Sequence, residues 1–218
     1  MRSKFDKQLE QLNSEMIMLG ALCENAIALS AKALAEGNPK LSEDVFDLSE
    51  RIDQKEREIE TMCIKLLLQQ QPVARDLRMI SSALKMVTDM ERIGDQSADI
   101  AEIIKMANIC ADNDTKDVCD MSTAVIKMVT GSIDAFVRKD ISAAKAVIDY
   151  DDVVDSYFDS VKKLLIDLLA KPGTDGEYAV DLLMIAKYFE RIGDHAVNIA
   201  RWVLFFLTGN KEGDEVVH

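Results

Sequence analysis

The chain contains one five-residue element twice, and its carboxylates are the clearest candidates for chemistry. The sequence ERIGD occupies residues 91–95 and recurs letter for letter at 190–194. On a helix, the glutamate and the aspartate of each copy are four residues apart and lie on one face, where like charges repel by a few tenths of a kcal/mol. A cation or an arginine that compensates this repulsion is therefore expected beside each pair.

Both copies of the element interrupt an apolar helix face. Glu91 and Glu190 occupy positions in the apolar stripe, where an unpaired ionised carboxylate costs several kcal/mol or must be neutralised. The next stripe positions are Gly94 and Gly193, and glycine costs about 1 kcal/mol relative to alanine inside a helix. Each glycine is therefore expected to make room for a neighbouring helix or for a bound ion.

The prolines near residues 72 and 172 place further carboxylates at the same height. If two helices fold back about Pro72, residues whose numbers average near 72 lie level with one another, and the same rule applies about Pro172. The rule pairs Asp53 with Glu91 and Glu50 with Asp95. The two predicted quartets are Glu50, Asp53, Glu91 and Asp95 in the first half, and Asp152, Asp155, Glu190 and Asp194 in the second.

An all-oxygen ligand set of this kind suits a hard cation such as Fe(III), Mn(II), Mg(II) or Ca(II) better than a thiolate-preferring metal. Asp99 and Asn198 extend the stripe by one more turn and are outer candidates for a multinuclear site. Two alternatives stay open: arginine–carboxylate networks through Arg92 and Arg191, or acidic faces of a helical scaffold that are only solvated.

The sequence lacks the motifs of several enzyme classes. Carboxylate-bridged di-iron oxygenases on helical bundles use ExxH motifs, in which a glutamate precedes a histidine by three residues. The histidines here are His195 and His218, and position 192, three residues before His195, is isoleucine, so this motif is absent there. There is no glycine-rich phosphate loop, no GxSxG element and no convincing Cys–His pair. A non-enzymatic protein is favoured, with a metal-dependent hydrolase or an iron-storage protein as the alternative.

The elements that must position these residues are long helices arranged as a repeat. Apolar residues recur at alternating spacings of three and four from Leu9 to Ala33, from Val45 to Leu66 and from Val73 to Ala101, which is typical of packed helices. The pattern then starts again: residues 45–47 match 147–149 at an offset of 102, and ERIGD recurs at an offset of 99. The prediction is an all-α fold of two tandem three-helix bundles, residues 1–111 and 112–218.

The composition restricts the fold class, the partners and the cellular compartment that are expected. Pro and Gly together number 12 of 218 residues, too few turns for a many-stranded β fold. With 39 acidic against 26 basic side chains the net charge is -13, so nucleic acid is not an expected partner. The four cysteines form no CxxC motif, and acidic residues near the N-terminus stand where a signal peptide would be apolar. The longest unbroken apolar run, Trp202–Leu207, is too short to span a membrane. These features favour a cytoplasmic protein.

The doubled ERIGD element, the sequence QPVARDLR at 71–78 and the segment 202–209 resemble the PhoU family of phosphate-transport accessory proteins over essentially the whole chain. The resemblance implies two three-helix bundles whose E/DxxxD motifs, here Glu91 with Asp95 and Glu190 with Asp194, bind a multinuclear metal cluster. Iron is the expected metal, with zinc, manganese or magnesium as alternatives. Gln96 stands where the second copy has His195, so histidine-assisted ligation is not expected in the first repeat.

The same resemblance implies a cytoplasmic homodimer without enzymatic activity. Members of the family repress the phosphate-starvation response and restrain phosphate uptake. The implied partners are the ATP-binding subunit of the phosphate ABC transporter and a sensor histidine kinase. Association with the membrane is expected only through these partners.

Overall fold

The structure is a computed structural model that describes residues 2–38, 40–70, 72, 74–107, 109 and 115–210. Within these ranges the regular elements are seven α-helices, without any β-strand. The all-α prediction is therefore confirmed. The helices are α1 (Arg2–Glu36), α2 (Leu41–Gln70), α3 (Ala74–Ala107), α4 (Lys116–Arg138), α5 (Ile141–Asp149), α6 (Asp151–Leu169) and α7 (Gly176–Thr208).

Over its described residues, the second repeat has four helices where three were predicted, because α5 and α6 are separated at Tyr150. This residue keeps helical angles (φ -77, ψ -12), and its N–H donates to the carbonyls of both Ala146 and Val147. The carbonyl of Tyr150 then accepts from Val153 N, so one tight turn interrupts the helix. Counting α5 and α6 as one interrupted helix gives three helices per repeat and confirms the tandem bundles.

Acidic side chains set the starts of two helices in the second repeat. The Asp140 carboxylate accepts from the backbone N–H groups of Ser142 and Ala143 at the start of α5. The Asp175 carboxylate accepts from the N–H groups of Glu177 and Tyr178 at the start of α7. These caps satisfy helix N–H groups that have no partner within the helix. They also fix where α7, which carries the second ERIGD element, begins.

The predicted apolar stripes form the core. Leu12, Met16, Leu19 and Cys23 of α1 are fully buried. The stripes of α2 and α3 also have buried members, Val45, Ile52, Ile59, Leu66, Ile80 and Val87, but Leu48, Met62 and Leu84 are only partly buried and Leu77 is exposed. By length and composition alone, Lys4–Glu36 is long and apolar enough to cross a membrane, although polar residues interrupt its apolar runs. However, 44% of its most apolar window is buried in the fold, and α1 packs against α2, α3 and α4, as a core helix does.

Helices α3 and α7 run antiparallel and join the two repeats. Asp89 near the middle of α3 bonds to His195 of α7, whereas Arg78 at the start of α3 donates from Nε to the carbonyl of Phe206 at 3.4 Å near the end of α7. The buried side chains of both repeats form one continuous core. The predicted domain boundary at 111/112 lies outside the described residues, as do Pro39, Val73 and Cys110, so the boundary stays a prediction.

Candidate functional site

Three of the four carboxylates predicted for the first repeat come together. Asp53 of α2 and Glu91 and Asp95 of α3 each offer one oxygen atom, and these three atoms lie within 4.8 Å of one another. All three residues are half-buried. Glu50, the fourth predicted carboxylate, is exposed and lies one helical turn before Asp53 on α2. Both residues line a groove of about 620 Å³. We call Asp53, Glu91 and Asp95 the carboxylate triad.

The inner oxygens of the carboxylate triad lack donors. Asp53 Oδ1 and Glu91 Oε2 are buried and have no hydrogen-bond partner among the described residues. Burial, and next the charge of Asp95, raise the pKa of the Glu91 carboxyl. A buried carboxylate oxygen without a donor or counter-ion is costly. The chemistry of this donor set therefore fits a hard cation, which would supply the charge that the two oxygens lack.

The arginine alternative is also present, on the outer side of the triad. Arg92 donates from Nη1 to Asp95 Oδ2 at 2.8 Å, and its Nε lies 3.3 Å from Glu91 Oε2 without hydrogen-bond geometry. The Arg92 side chain is 54% exposed, so solvent screens much of its charge. Arg92 therefore hydrogen-bonds Asp95 and partly offsets the charge of Glu91, but it donates no hydrogen bond to the buried oxygens of Asp53 and Glu91.

One further acidic residue faces the triad and was not predicted. The pKa of Glu56 is raised by burial, and next by the charges of Glu60 and Asp53. Glu56 follows Asp53 by three residues on α2, so the same helix-face argument that paired Glu91 with Asp95 would have found it. It adds negative charge beside the triad.

The two glycines make room for a neighbouring helix. A Cβ atom on Gly94 would lie 3.0 Å from both Cδ1 and Cγ2 of Ile52 on α2. A Cβ atom on Gly193 would lie 3.4 Å from Cγ1 of Val154 on α6. Ile52 and Val154 are 102 residues apart, the offset found in the sequence, so the repeat is preserved in the packing. Of the two predicted uses of the space, helix packing is the one observed.

The predicted quartet of the second repeat does not meet the spacing of a metal site among the described residues. Burial, and next the charge of Glu190, nevertheless raise the pKa of Asp194, with a further contribution from Asp155. Asp152, Asp155 and Asp194 are exposed, and Glu190 forms an ion pair with Lys187. Within the described part of the chain, the carboxylate triad is the one group of three or more His, Cys, Asp or Glu residues close enough to hold a metal ion. Metal binding at the second quartet stays a prediction.

Asp151, a half-buried neighbour of that quartet, was missed. Burial, followed by the charges of Asp155 and Asp194, raises its pKa to about 6. Its Oδ1 would lie 3.5 Å from a Cβ on Gly193, so the carboxylate reaches α7. Asp151 and Asp194 average 172.5, so the hairpin rule includes Asp151 as readily as Asp152. Height alone does not say which of two adjacent residues faces the partner helix.

The two outer candidates lie near the α3–α7 contact between repeats and outside the triad. Asn198 donates from Nδ2 to Asp89 Oδ1 at 3.4 Å, and the same oxygen is 2.9 Å from His195 Nδ1. The pKa of Asp99 is raised by burial and next by the charge of Asp95, and lowered by Arg191 of α7. Asp89 was missed because its counterpart in the second repeat is Tyr188, so the repeat carries no signal for it.

Comparison with known proteins gives one consistent result. The model of the PhoU domain matches residues 17–104 and again 118–203, one match per repeat. A phosphate-specific transport system accessory protein PhoU homolog of Clostridium acetobutylicum is 34% identical over 212 residues, which are 96% of this chain and 97% of that protein. A homolog of the same name from Aquifex aeolicus is 34% identical over 189 residues, 86% of each chain.

Solved structures agree with the sequence matches. The crystal structure of PhoU from Pseudomonas aeruginosa has a TM-score of 0.88 and 31% identity, and the match covers 94% of this chain and 100% of that one. The phosphate transport system regulatory protein PhoU from Streptococcus pneumoniae has a TM-score of 0.86 and 26% identity, with 95% and 98% covered. The likeness thus extends over both repeats and their mutual packing.

Proposed function

The chain belongs to the PhoU family, and we propose that it is an accessory protein of a phosphate-specific transport system. The observation that carries this proposal is the match of both repeats, over nearly the full length, to relatives of that name. The similar length of this chain and the Clostridium acetobutylicum relative means that no large part of that protein lacks a counterpart here.

The finer role that we propose is that of a non-enzymatic adaptor. It restrains phosphate uptake and represses the phosphate-starvation response by passing the state of the transporter to a sensor histidine kinase. The transporter contact is made through the ATP-binding subunit, on the cytoplasmic side of the membrane. The working form is a homodimer, and its membrane association is through these partners.

We also propose that the carboxylate triad holds a metal cation. The support is the pair of buried, unpartnered oxygens on Asp53 and Glu91 beside Asp95. Carboxylate ligands favour iron, manganese or magnesium, and zinc is also compatible with oxygen ligands. A bound cation supplies positive charge between α2 and α3. Asp53, Glu91 and Asp95 would hold it, and Arg92 orients Asp95 from outside.

The regulatory role is tested by deleting the gene in its host and measuring phosphatase expression in high-phosphate medium. The proposal predicts that phosphatase is expressed although phosphate is abundant, and that the wild-type gene restores repression. The control is the same strain carrying a gene with a stop codon early in α1. Unchanged repression in the deletion strain would remove the reason to regard the protein as a phosphate regulator.

The metal is tested by elemental analysis of protein purified without chelator. Asp95→Ala removes one member of the triad, and Asp194→Ala is the matched change in the second ERIGD copy. A clear loss of metal in Asp95→Ala supports the triad, and a further loss in the double variant would support the predicted second site. Equal metal content in the wild type and the double variant would contradict metal binding by either motif.

A further inference from the structure

A second cleft lies where α6 and α7 of the second repeat meet α3 of the first repeat. Its volume is about 470 Å³. Arg191 and Arg201 of α7 line it, and Gln96 of α3 and Asp151 of α6 lie on its other walls. Asp194, His195 and Asn198 also line it. We call this the arginine cleft.

Both arginines of this cleft are without an ion-pair partner. No carboxylate oxygen of the described residues lies within 4.0 Å of a guanidinium nitrogen of Arg191 or Arg201. Most lysines and arginines of the described residues also have no such partner, so the distinguishing feature of Arg191 and Arg201 is that both line the same cleft. Two unpaired guanidiniums that line one cavity form a natural site for an oxyanion, since arginine donates charge-assisted hydrogen bonds in a fixed fork.

Comparison with the first repeat explains why Arg191 is unpaired. Its counterpart Arg92 is held by the acidic residues of its own ERIGD copy, Glu91 and Asp95. In the second copy, Lys187 pairs with Glu190 instead, and Arg191 lies over the ring of Tyr188 at 5.8 Å. The residue that matches Lys187 in the first repeat is Thr88, which carries no charge. Lys187 therefore releases Arg191 toward the cleft.

The α7 wall of the cleft also carries less negative charge than the matching stretch of α3, whereas on α6 Asp151 stands where the first repeat has Ser49. At an offset of 99, Glu102 is replaced by Arg201, and Asp99 by Asn198. Arg191 and Arg201 are ten residues apart, or about 15 Å along the helix. Two extended arginine side chains can therefore approach one ligand from the two ends of the cleft. The same stretch of α3 is acidic and offers no such pair.

The cleft also contains hydrogen-bond acceptors that need a donor. Gln96 Oε1 is buried and has no hydrogen-bond partner among the described residues. The carboxylates of Asp151 and Asp194 are two more acceptors on the same walls. Near neutral pH, hydrogen phosphate carries a P–OH donor as well as negative oxygens, whereas sulfate carries no proton. A site that combines donors and acceptors rejects an analogue that leaves its polar groups unpaired.

We propose that the arginine cleft binds a phosphoryl group, either free phosphate or a phosphomonoester, with Arg191 and Arg201 donating to its oxygens. The P–OH group of hydrogen phosphate, or of a phosphomonoester monoanion, donates its one proton to Gln96 Oε1. Lys187 is a positioning residue, because it keeps Glu190 from pairing with Arg191. No residue of the carboxylate triad lines the cleft, although Gln96 directly follows Asp95 on α3.

Isothermal titration calorimetry on the full-length, chelator-treated protein tests the proposal at constant ionic strength near neutral pH. The titrants are inorganic phosphate, O-phosphoserine and sulfate. Saturable binding of inorganic phosphate assigns the cleft to the free ion, and binding of phosphoserine alone assigns it to a phosphoryl group on a larger ligand. Sulfate is expected to bind about fivefold or more weakly than inorganic phosphate, since leaving a buried polar group unpaired costs about that factor or more.

Variants locate the site. Arg201→Glu, which introduces the residue of the first repeat, and Arg191→Gln are each expected to weaken binding by about tenfold or more, the loss of a charge-assisted hydrogen bond. Lys187→Thr is expected to weaken it through recapture of Arg191 by Glu190. Arg138→Gln, an exposed change on α4, is the matched control and should bind as the wild type does. Circular dichroism verifies that each variant is folded.

Three results would overturn the proposal: no saturable binding of phosphate or phosphoserine, equal affinity for sulfate, or undiminished affinity in both arginine variants. Because the protein is treated with chelator, the titration reports on the cleft whether or not the triad binds a metal, so failure of the metal proposal and failure of this one are distinguishable.

Discussion

Alanine at the two ERIGD glycines is expected to change stability in opposite directions. At Gly94 the new Cβ lies 3.0 Å from two atoms of Ile52 and 3.3 Å from its Cβ, which no side-chain rotation can move away. Overpacking of this kind costs about 1–3 kcal/mol, and removing a helical glycine returns about 1 kcal/mol. Gly94→Ala should therefore destabilise the protein by about 0–2 kcal/mol, the difference between these two terms.

At Gly193 the space is larger. The nearest atom is 3.4 Å from the new Cβ, which is close to ordinary contact, so the gain in helix propensity dominates. Gly193→Ala should stabilise the protein by up to about 1 kcal/mol. The assay is urea unfolding of chelator-treated protein followed by far-UV circular dichroism. Measuring both variants under one condition makes each the control of the other.

A double-mutant cycle tests the cause. Ile52→Val introduces the side chain type found at Val154 in the second repeat and removes Cδ1, one of the two closest atoms. Alone it should cost about 0.5–1.5 kcal/mol. Combined with Gly94→Ala, the total loss should be smaller than the sum by about 0.5–1 kcal/mol, because the two residues are in contact. Equal effects of the two glycine substitutions, or strict additivity in the cycle, would refute the packing argument.

Three further predictions concern charge. The pKa of Asp151 is raised from 3.8 to about 6, so the folded state binds this proton more tightly than the unfolded state, and the unfolding free energy falls as pH rises between those values. In chelator-treated protein, Asp151→Asn should therefore have the same free energy of unfolding as the wild type near pH 4 and a larger one above about pH 6.5. Urea unfolding at these pH values measures both, and a difference that does not change with pH would contradict this prediction. Asp89→Ala should destabilise the α3–α7 contact by about 1–3 kcal/mol, since it leaves His195 without its partner, and an unchanged melting temperature would exclude that role. Manganese should raise the melting temperature of the wild type but not of Asp95→Asn, and equal shifts in thermal scans would place the ion elsewhere.

The sequence was sufficient for features that depend on periodicity along one helix. The three-and-four spacing identified the buried faces, and the hairpin rule about Pro72 placed Asp53 level with Glu91, as the triad shows. Both arguments use only the rise and the repeat of an α-helix. The recurrence of ERIGD also predicted that the two repeats would use their glycines at equivalent positions.

Features that depend on rotation about a helix axis, or on contacts between repeats, were not accessible in this way. The hairpin rule gives height but not direction, so Asp152 was chosen although Asp151 is the residue that reaches α7. Lys187 changes the partner of Glu190, and no repeat symmetry signals it because its counterpart is Thr88. The Asp89–His195 contact spans 106 positions and arises only when α3 and α7 pack.

Phosphate uptake is the most direct measurement of the proposed function. The initial rate of uptake of radioactive phosphate is compared, in high-phosphate medium, between the deletion strain and the same strain that expresses the intact gene. An accessory protein that restrains the transporter predicts faster uptake in the deletion strain and a return to the wild-type rate on expression. Equal rates in the two strains, with the protein verified as expressed, would contradict the proposed role in phosphate transport.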